Sequence, residues 1–372
     1  MTDQTITSDD SPPDTSDNPP PPQPPSLIPN LPDDIAIQCI ARVPRPYHPS
    51  LSLVCKLWHH TIRSPHFFTT RSLLHSTQHS LYLNIRHTST FKWYYHPNPN
   101  PNDHSSLFPH PPILIQPIGP AYAVLGSKLY VIGGSVKDVP LSSVWVLDCS
   151  VNKWEMGPRM RVGREFAAAA TVDGKIYVMG GCLVDNRLKS VNWAEVFDPA
   201  VGEWCAVPSE EVDGKDKWMH ACAVIDGKIY AMADRGGVVY DVGAMEWGRV
   251  PKRLDLGWRG RAVVIDDVLY CYDFLGKIRG YDVVRDVWKE LRGVDKGLPK
   301  FLCGATMVDL DGRLCVVWEC KEGGGKTMDV MCAEIDVRKD EDGGLSGSVL
   351  WVDSVLSVPV GSAILHCMAV AL

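Results

Sequence analysis

A short apolar strand, preceded by a turn, recurs five times in this chain and restricts its fold more than any other feature. The copies fill residues 128–132, 175–179, 228–232, 268–272 and 313–317. An aromatic residue stands at the centre of the first four, Tyr130, Tyr177, Tyr230 and Tyr270, and Cys315 takes that position in the fifth. The steps between these positions are 47, 53, 40 and 45 residues. Self-similarity at this period is typical of repeat architectures, in which each copy is one supersecondary unit.

An aspartate and a tryptophan form a second, coupled marker in the first four copies. An aspartate that leaves a strand bonds its own backbone and sets a turn. A tryptophan that opens the next strand buries a large ring between neighbouring units. Asp-Gly precedes the strand in the second, third and fifth copies and indicates a tight hairpin. The aspartate always comes six residues before the tryptophan, in the pairs Asp148 and Trp154, Asp198 and Trp204, Asp241 and Trp247, and Asp282 and Trp288.

Together with the pairs Gly133-Gly134 and Gly180-Gly181, these markers resemble the kelch repeat over about residues 81–372. The resemblance implies that each repeat forms a four-stranded blade of a β-propeller around a central channel. Both glycines of the pair are present only in the first two copies, and the fifth copy carries an insertion before Trp351. Small residues suit the crowded innermost strands of a propeller and precede the hairpins at 167–170, 221–223, 260–262 and 304–305.

The strands outside the five copies predict how the propeller closes. One strand of the innermost type remains at the C-terminus, at residues 363–372, and others remain near Tyr82 and Trp93. Joining them makes a composite sixth blade and leaves no open sheet edge. The expected fold is therefore a small all-α module followed by an all-β kelch-type propeller with six blades.

Composition divides the chain into three segments. Residues 1–26 are rich in proline and polar residues and cannot bury enough apolar surface, so we expect a disordered tail. Residues 27–74 show helical periodicity, and residues 80–372 form the propeller, with a Pro/Asn-rich loop at 96–112. Within the helical module, Pro32 suits the start of a first helix. A second helix is predicted from Ser50 as its cap to Pro65, and a third element is predicted at about 67–74.

Segments 27–35, 51–58 and 62–65 of the helical module resemble an F-box, above all in Leu31-Pro32-Asp33-Asp34 and Val54-Cys55-Lys56-Leu57-Trp58. An F-box followed by a kelch propeller resembles the F-box/kelch-repeat family that is abundant in plants. The resemblance implies a substrate-recognition subunit of an SCF ubiquitin ligase. Its F-box docks on a Skp-type adaptor, which joins a cullin, and its propeller holds an unknown target protein.

Six F-box residues are candidates for the adaptor interface or its direct support, and the alternative is that they form the module's own core. They are Leu31, Pro32, Ile35, Ile40, Val54 and Trp58. Eight residues that enter the innermost strands are candidates for binding the target, because Arg and Trp are enriched at binding hot spots. Scattered solvated loop residues are the alternative for this second set, which comprises Arg164, Glu165, Lys217, Trp218, Trp258, Arg259, Lys300 and Phe301.

Several classes of partner and compartment are disfavoured by composition. The net charge is −7 and no stretch is strongly basic, so we expect no nucleic-acid partner. No uninterrupted apolar run of about 18 residues occurs, so we expect no membrane span. The polar N-terminus lacks a signal peptide, and the twelve cysteines include no Cys-x-x-Cys. These features predict a reduced protein of the cytoplasm, the nucleus or both.

No catalytic, metal or cofactor site is expected. Ten of the twelve histidines precede residue 112, outside the five repeats. His75 and His79 share helical spacing but lack a nearby carboxylate or cysteine partner. Residues 325–327 look like the end of a phosphate loop, but Cys320 stands where its first glycine belongs. Two alternatives to the ligase role stay open: a non-ligase kelch scaffold or interaction protein, and a ligand-binding sensor or enzyme.

Overall fold

The computed structural model describes residues 26–372 except 89, 98–106, 183–191, 210–211, 213–217, 235, 259, 274–275 and 322–324. The predicted tail therefore lies outside the described residues apart from Ser26, as does most of the predicted loop at 96–112. The described chain begins with a helical region and continues as an all-β, propeller-like domain. Across the described ranges, every helix falls short of the length and apolar character that a bilayer crossing needs.

Four short α-helices and a 3₁₀-helix build the N-terminal module. They are α1 (Asp33–Ala41), the 3₁₀-helix Arg45–Tyr47, α2 (His48–Leu51), α3 (Lys56–Ile62) and α4 (Pro65–Leu73). Pro32 is the N-cap of α1 and Ser64 is that of α4, where its hydroxyl accepts from the Phe67 amide at 3.2 Å. A small core of Ile37, Ile40, Ala41, Ile62 and Phe67 holds these helices together.

The prediction of one continuous helix from Ser50 to Pro65 was wrong. The chain leaves the helical conformation after α2, and α3 begins only after Cys55, whose extended backbone has φ −160°. The Cys55 thiol caps α3 by accepting from the Trp58 amide at 3.4 Å. Leu53 and Val54, in the intervening turn, are 85% and 61% exposed. The apolar residues of this segment therefore do not share one helix face.

The β domain contains four four-stranded sheets. The first pairs the C-terminal strand with the first three strands of the domain, in the order β26 (Ala363–Ala371), β1 (His79–His87), β2 (Thr90–His96) and β3 (Phe108–His110). The others contain β4 (Ala121–Leu125), β5 (Lys128–Ile132), β8 (Val144–Asp148) and β9 (Lys153–Gly157); β10 (Ala168–Val172), β11 (Lys175–Met179), β12 (Ala194–Asp198) and β13 (Glu203–Val207); and β14 (Met219–Ile225), β15 (Lys228–Ala233), β16 (Val238–Asp241) and β17 (Glu246–Arg249).

The fifth large sheet has eight strands and explains why six separate sheets are not observed. One half holds β18 (Ala262–Ile265), β19 (Val268–Tyr272), β20 (Ile278–Asp282) and β21 (Val287–Arg292). The other half holds β25 (Leu345–Pro359), β24 (Thr327–Lys339), β23 (Arg313–Cys320) and β22 (Cys303–Leu310). A short parallel pairing of Leu291 with Leu345 and of Arg292 with Ser346 joins the halves. The insertion at 338–348 supplies this pairing, since it extends the hairpin of β24 and β25 toward β21.

Two small elements complete the described fold. Strands β6 (Ser135–Val136) and β7 (Val139–Pro140) form a ribbon after β5, and helix α5 (Lys252–Gly257) follows β17. The first strand of each repeat contacts that of the next, in the order β4, β10, β14, β18 and β22. Strand β26 contacts both β22 and β4, so these strands form a closed ring.

Close approach between neighbouring repeats requires the glycine pair of the first copy. Gly133 and Gly134 have φ values of 66° and 84°, in the left-handed region that favours glycine. The Gly134 amide donates to the carbonyl of Arg164 in the next repeat at 2.7 Å. A Cβ on Gly133 would lie 2.5 Å from that same carbonyl oxygen. The pair therefore lets two backbones touch where a side chain would separate them.

Candidate functional site

A cavity of about 800 Å³ lies at one end of the ring, where the innermost strands begin. Its wall includes the first residues of those strands, for example Ala121 of β4, Ala168 of β10, Met219 of β14 and Ala262 of β18. Six innermost strands converge there, and the alanines at three of these positions leave space between them. The cavity is therefore the mouth of the central channel.

Two charged residues line this cavity, Arg86 and Arg261. No aspartate or glutamate is among its lining residues. Arg261 comes just before β18, and its guanidinium donates to the carbonyl of Ile364 in β26 at 3.4 Å. Burial lowers the pKa of Arg261 from its usual value. Within the described part of the chain, no carboxylate forms an ion pair with Arg261 or Arg86. The cavity thus holds positive charge without a matching negative one.

Tyr122 and His366 stack edge-to-face on the cavity wall, with ring centroids 4.5 Å apart. Burial and, to a lesser extent, the nearby Arg261 charge lower the pKa of His366 to about 3, so the imidazole is neutral at neutral pH. Burial raises the pKa of Tyr122 to about 12, which keeps the phenol protonated. The Tyr122 oxygen accepts from the Asn84 amide at 2.9 Å, which leaves the phenolic hydrogen available to donate.

Thr306 of β22 also lines the cavity and is 1% exposed. Its hydroxyl oxygen has no hydrogen-bond partner in the structure. Buried hydroxyls are normally paired, since leaving one unpaired costs about 1–3 kcal/mol. A free donor of this kind, in the wall of a cationic cavity, is a ready contact for an anion.

Aromatic side chains form the rim of the cavity. Phe166 stacks on Trp218, with ring centroids 5.2 Å apart and an interplanar angle of 26°. Trp218 is 64% exposed, and Phe166 lines the cavity. The Phe166 ring fits against Gly119, where a Cβ would lie 2.7 Å from it. The rim thus offers a flat apolar surface beside the two arginines.

The predicted target-binding residues occupy different environments. Arg164 and Trp258 are buried: Arg164 pairs with Glu195 at 2.7 Å, and the Trp258 indole donates to the Gly260 carbonyl at 3.0 Å. Glu165 is half-buried. Lys300 and Phe301 are exposed, with the ammonium 5.6 Å from the ring centroid. The predicted residues Lys217 and Arg259 lie outside the described residues.

The predicted F-box residues also divide by exposure. Ile40 is 2% exposed and belongs to the module's core. Trp58 packs against that core, and its indole donates to the Leu27 carbonyl at 2.6 Å. Leu31 is half-buried, whereas the remaining three are exposed: Pro32, Ile35 and Val54.

The helical module is attached at the end of the ring opposite the cavity. The Arg45 guanidinium donates to the Cys149 carbonyl at 2.9 Å, and the Arg45 amide donates to the Gln78 side chain at 2.6 Å. The Cys149 amide bonds to Ser127, in the turn where β4 ends, and the Gln78 amide bonds to Leu372, beyond the end of β26. Both innermost strands begin at the cavity and end at this attachment.

The predicted target-binding residues stand at the same end of the repeats as the cavity, but the sequence analysis missed the residues that give the cavity its character. Arg261 lies in the small-residue segment 260–262, which the sequence identifies only as part of an innermost strand. Phe166 stands directly after Glu165 and directly before the alanine run 167–170. The signal that could have identified both cavity residues is a large or charged side chain within or next to a small-residue segment. In the part of the chain that the structure describes, no cluster of three His, Cys, Asp or Glu side chains could hold a metal ion.

Family models and full-length relatives agree with an F-box followed by kelch repeats. The family model described as "FKB95, Kelch-repeats domain" matches residues 89–356, and the F-box domain model matches residues 28–70. The F-box/kelch-repeat protein At4g39550 of Arabidopsis thaliana is 35% identical, over 92% of this chain and 93% of its own. The F-box/kelch-repeat protein At4g39590 of the same plant is 35% identical, over 90% and 88%. A solved structure titled "Structure of YjhT" aligns with a TM-score of 0.47 at 12% identity, over 72% of this chain and 96% of that one.

An F-box followed by kelch repeats defines a class of proteins with a helical docking module and a propeller. This chain belongs to the F-box/kelch-repeat family, on both domain matches and on its similarity to full-length relatives.

Proposed function

We propose that this protein is the substrate-recognition adaptor of an SCF-type ubiquitin ligase and performs no catalytic step itself. Residues 27–74 would serve as the F-box and residues 80–372 as the propeller. One observation carries the proposal: an F-box with uncovered apolar side chains is fixed to the end of the propeller opposite the channel cavity. That arrangement separates the surface for the ligase from the surface for the target.

The F-box binds a Skp-type adaptor, and through it a cullin, by apolar side chains that its own small core does not cover. Pro32, Ile35 and Val54 are exposed, and Leu53, which the sequence analysis passed over, is 85% exposed. Ile40 and Trp58 support this surface from inside the module, as their burial requires. An exposed group of large apolar residues on a small module is typical of a protein interface.

The target protein binds at the channel mouth. Trp218 and Phe301 are exposed at the strand entries, and Lys300 lies beside Phe301. Tryptophan is among the residues that most often dominate binding energy at interfaces. Glu165 contributes from a half-buried position, whereas Arg164 and Trp258 act from inside by holding the entry loops.

We also propose that the propeller has six blades, with the eight-stranded sheet counted as two. Its halves are each four-stranded and antiparallel, and only two residue pairs join them. Six innermost strands contact one another in a closed ring, which supports this count. The structure describes all twelve cysteines and joins none of them in a disulfide, as in a reducing compartment, so we propose a cytoplasmic or nuclear location.

Co-purification of the full chain with a recombinant Skp-type adaptor tests the docking surface. Replacing Leu53 and Val54 together by aspartate places two charges on an apolar interface, and we expect at least a tenfold loss of affinity, or about 1.4 kcal/mol. Leu73→Asp is the matched control, because Leu73 is 77% exposed at the end of α4 of the same module. Equal adaptor binding by the double variant and the control would contradict the proposed surface.

Reconstituted ubiquitination tests the ligase role. A protein captured by the propeller should be polyubiquitinated when adaptor, cullin and ubiquitin-loading enzymes are added, and the Leu53 and Val54 double variant should lose that activity. A propeller that retains its captured protein but never supports its ubiquitination, despite bound adaptor and cullin, would show that the complex is a scaffold.

A further inference from the structure

We infer that the channel cavity is a binding site for a carboxylate carried on an apolar body. The inference stands apart from the ligase role, because it rests on the cavity alone and not on the F-box. It would specify which chemistry the propeller recognises.

The first observation is the unmatched positive charge of the cavity. Arg261 reaches from the start of β18 to the Ile364 carbonyl of β26, and that single bond is long, at 3.4 Å. Arg261 lines the cavity, and among the described residues its guanidinium makes this one hydrogen bond and has no carboxylate partner. A guanidinium pairs with an oxyanion such as a carboxylate in planar, bidentate geometry, so an arginine held in this way can bind that group.

The second observation is a set of uncharged donors on the same wall. The Thr306 hydroxyl is buried and has no partner, and the Tyr122 hydroxyl accepts from Asn84 while its own hydrogen stays free. The Tyr122 and His366 ring centroids are 4.5 Å apart, and Arg261 bonds to the carbonyl of Ile364, which is two residues before His366 in β26. Arg261, Tyr122 and His366 therefore lie around one region of the cavity. A carboxylate there would satisfy donors that the protein itself leaves unpaired.

The third observation is the apolar surface beside these donors. Phe166, Ala169, Met219 and Leu365 line the same cavity, and Trp218 stacks on Phe166 at its rim. A volume of about 800 Å³ falls within the range of small-molecule sites, which are mostly apolar with a few placed polar groups. The ligand therefore combines one anionic group with an aromatic or aliphatic body.

A matched pair of dyes tests the anionic preference on the full chain. 8-Anilinonaphthalene-1-sulfonate carries an anionic group on two aromatic rings, and N-phenyl-1-naphthylamine is the same body without that group. We expect the sulfonate dye to bind more tightly than the uncharged dye by fluorescence titration. Arg261→Gln should weaken the sulfonate dye by about tenfold or more and leave the uncharged dye unchanged.

Two further variants separate binding from folding. Arg292→Gln is the control, because Arg292 is an exposed arginine of β21 outside the cavity. Thr306→Val removes the unpaired hydroxyl at nearly constant shape. It should keep or raise the melting temperature, because an unsatisfied buried donor is lost, while it weakens the sulfonate dye by about threefold to tenfold. A lower melting temperature combined with unchanged dye affinity would contradict the assigned role of Thr306.

Competition identifies where the carboxylate comes from. 4-Phenylbutyrate is compared with its amide, and a capped tetrapeptide with adjacent phenylalanine and glutamate is compared with its glutamine counterpart. Displacement by the free acid alone indicates a small organic acid, and displacement by the acidic peptide alone indicates a side chain of a bound protein. Displacement by both supports a shared site.

Three outcomes would overturn the inference: equal affinity for the two dyes, an Arg261→Gln variant that binds the sulfonate dye normally, or no displacement by either carboxylate at millimolar concentration. None of these three outcomes affects adaptor binding, which the F-box co-purification measures independently. The two proposals can therefore fail separately.

Discussion

Arg164 and Glu195 form an ion pair inside the second repeat, with side chains 1% and 0% exposed. The Arg164 guanidinium also donates to the carbonyls of Gly180 and Trp193 at 2.8 and 2.7 Å. The other Glu195 oxygen accepts from the Arg161 amide at 2.8 Å. One buried arginine thus fixes the loop after β11, the start of β12 and the segment that enters β10.

Removing this arginine should cost far more stability than removing a surface cation. Arg164→Ala leaves the Glu195 carboxylate buried without its counter-charge, and we expect the free energy of unfolding to fall by about 3–5 kcal/mol. Chemical denaturation of the isolated variant measures this.

Lys175→Ala serves as the control, because Lys175 pairs with Asp198 at 2.8 Å at the solvent-accessible ends of β11 and β12 in the same sheet. Exposed pairs contribute about 1 kcal/mol or less. Similar losses for the two variants would show that Arg164 does not act as a buried charge.

Asp148, Asp198, Asp241 and Asp282 show how much of a residue's local role is visible in sequence. In each case a side-chain oxygen accepts from a backbone amide two or three residues later, as the turn interpretation predicts. Arg164 and Arg261 could not be distinguished in the same way. Both arginines stand at strand entries. Arg164 has a structural role only because Glu195, in a strand distant along the sequence, lies next to it.

At the scale of elements, the recurring tryptophans connect one sheet to the next. The indoles of Trp154, Trp204 and Trp247 donate to the carbonyls of Pro111, Pro158 and Pro208, which follow the last strand of the preceding sheet. Trp288 bonds to the Arg253 carbonyl in α5 in the same way. Trp351 differs, because it bonds to Glu334 within its own sheet. A bond of this kind between neighbouring elements therefore recurs once in each of the first four repeats.

Trp204→Phe should loosen the contact between the first and second repeats. The substitution removes an indole donor and leaves the Pro158 carbonyl unpaired, so we expect a loss of about 1–3 kcal/mol in the free energy of unfolding. Thermal and urea denaturation measure it. Trp218→Phe, at an exposed rim position, should change stability by less than about 0.5 kcal/mol. A Trp204→Phe variant as stable as the control would contradict a linking role for the indole.

The strands were predictable as elements because turn chemistry and the apolar marker recur together. The eight-stranded sheet was not predictable, because the insertion at 338–348 breaks the period and its partner in β21 is distant in sequence. The break between α2 and α3 was missed for a related reason. Leu51, Val54 and Trp58 fit a helical period, but Val54 lies exposed in a turn.

At the scale of the whole molecule, Arg45 connects the helical module to the propeller. Its bond to the Cys149 carbonyl spans 104 residues of sequence, and its amide bonds to Gln78 just before β1. Cys149 is fully buried, and burial raises the pKa of its thiol to about 12, so the side chain beside the bonded carbonyl is uncharged. The attachment therefore depends on a charged donor bonding to a backbone carbonyl.

Arg45→Gln should release the module from the propeller without unfolding either part. Losing a hydrogen bond from a charged group costs about 1.5–3 kcal/mol, so we expect amide exchange in residues 74–80 to accelerate by about tenfold or more. Hydrogen exchange followed by mass spectrometry measures this.

Arg42→Gln is the matched control, since Arg42 is exposed and, among the described residues, its guanidinium bonds only to the Gln38 carbonyl of α1. Identical exchange in the two variants would show that Arg45 does not fix the module in place.

The sequence by itself determined the repeat, its turns, the order of F-box and propeller, and the return of the C-terminal strand to the start of the domain. These follow from local chemistry and from periodic spacing, which one chain displays in full. Only the tertiary structure decided which arginines are free and which are buried in ion pairs, which tryptophans bond to a neighbour, and where the F-box attaches. Those outcomes depend on partners 30 to 104 residues away, such as Glu195 for Arg164 and Cys149 for Arg45. Spacing along the chain carries no record of which distant groups the closed ring brings together.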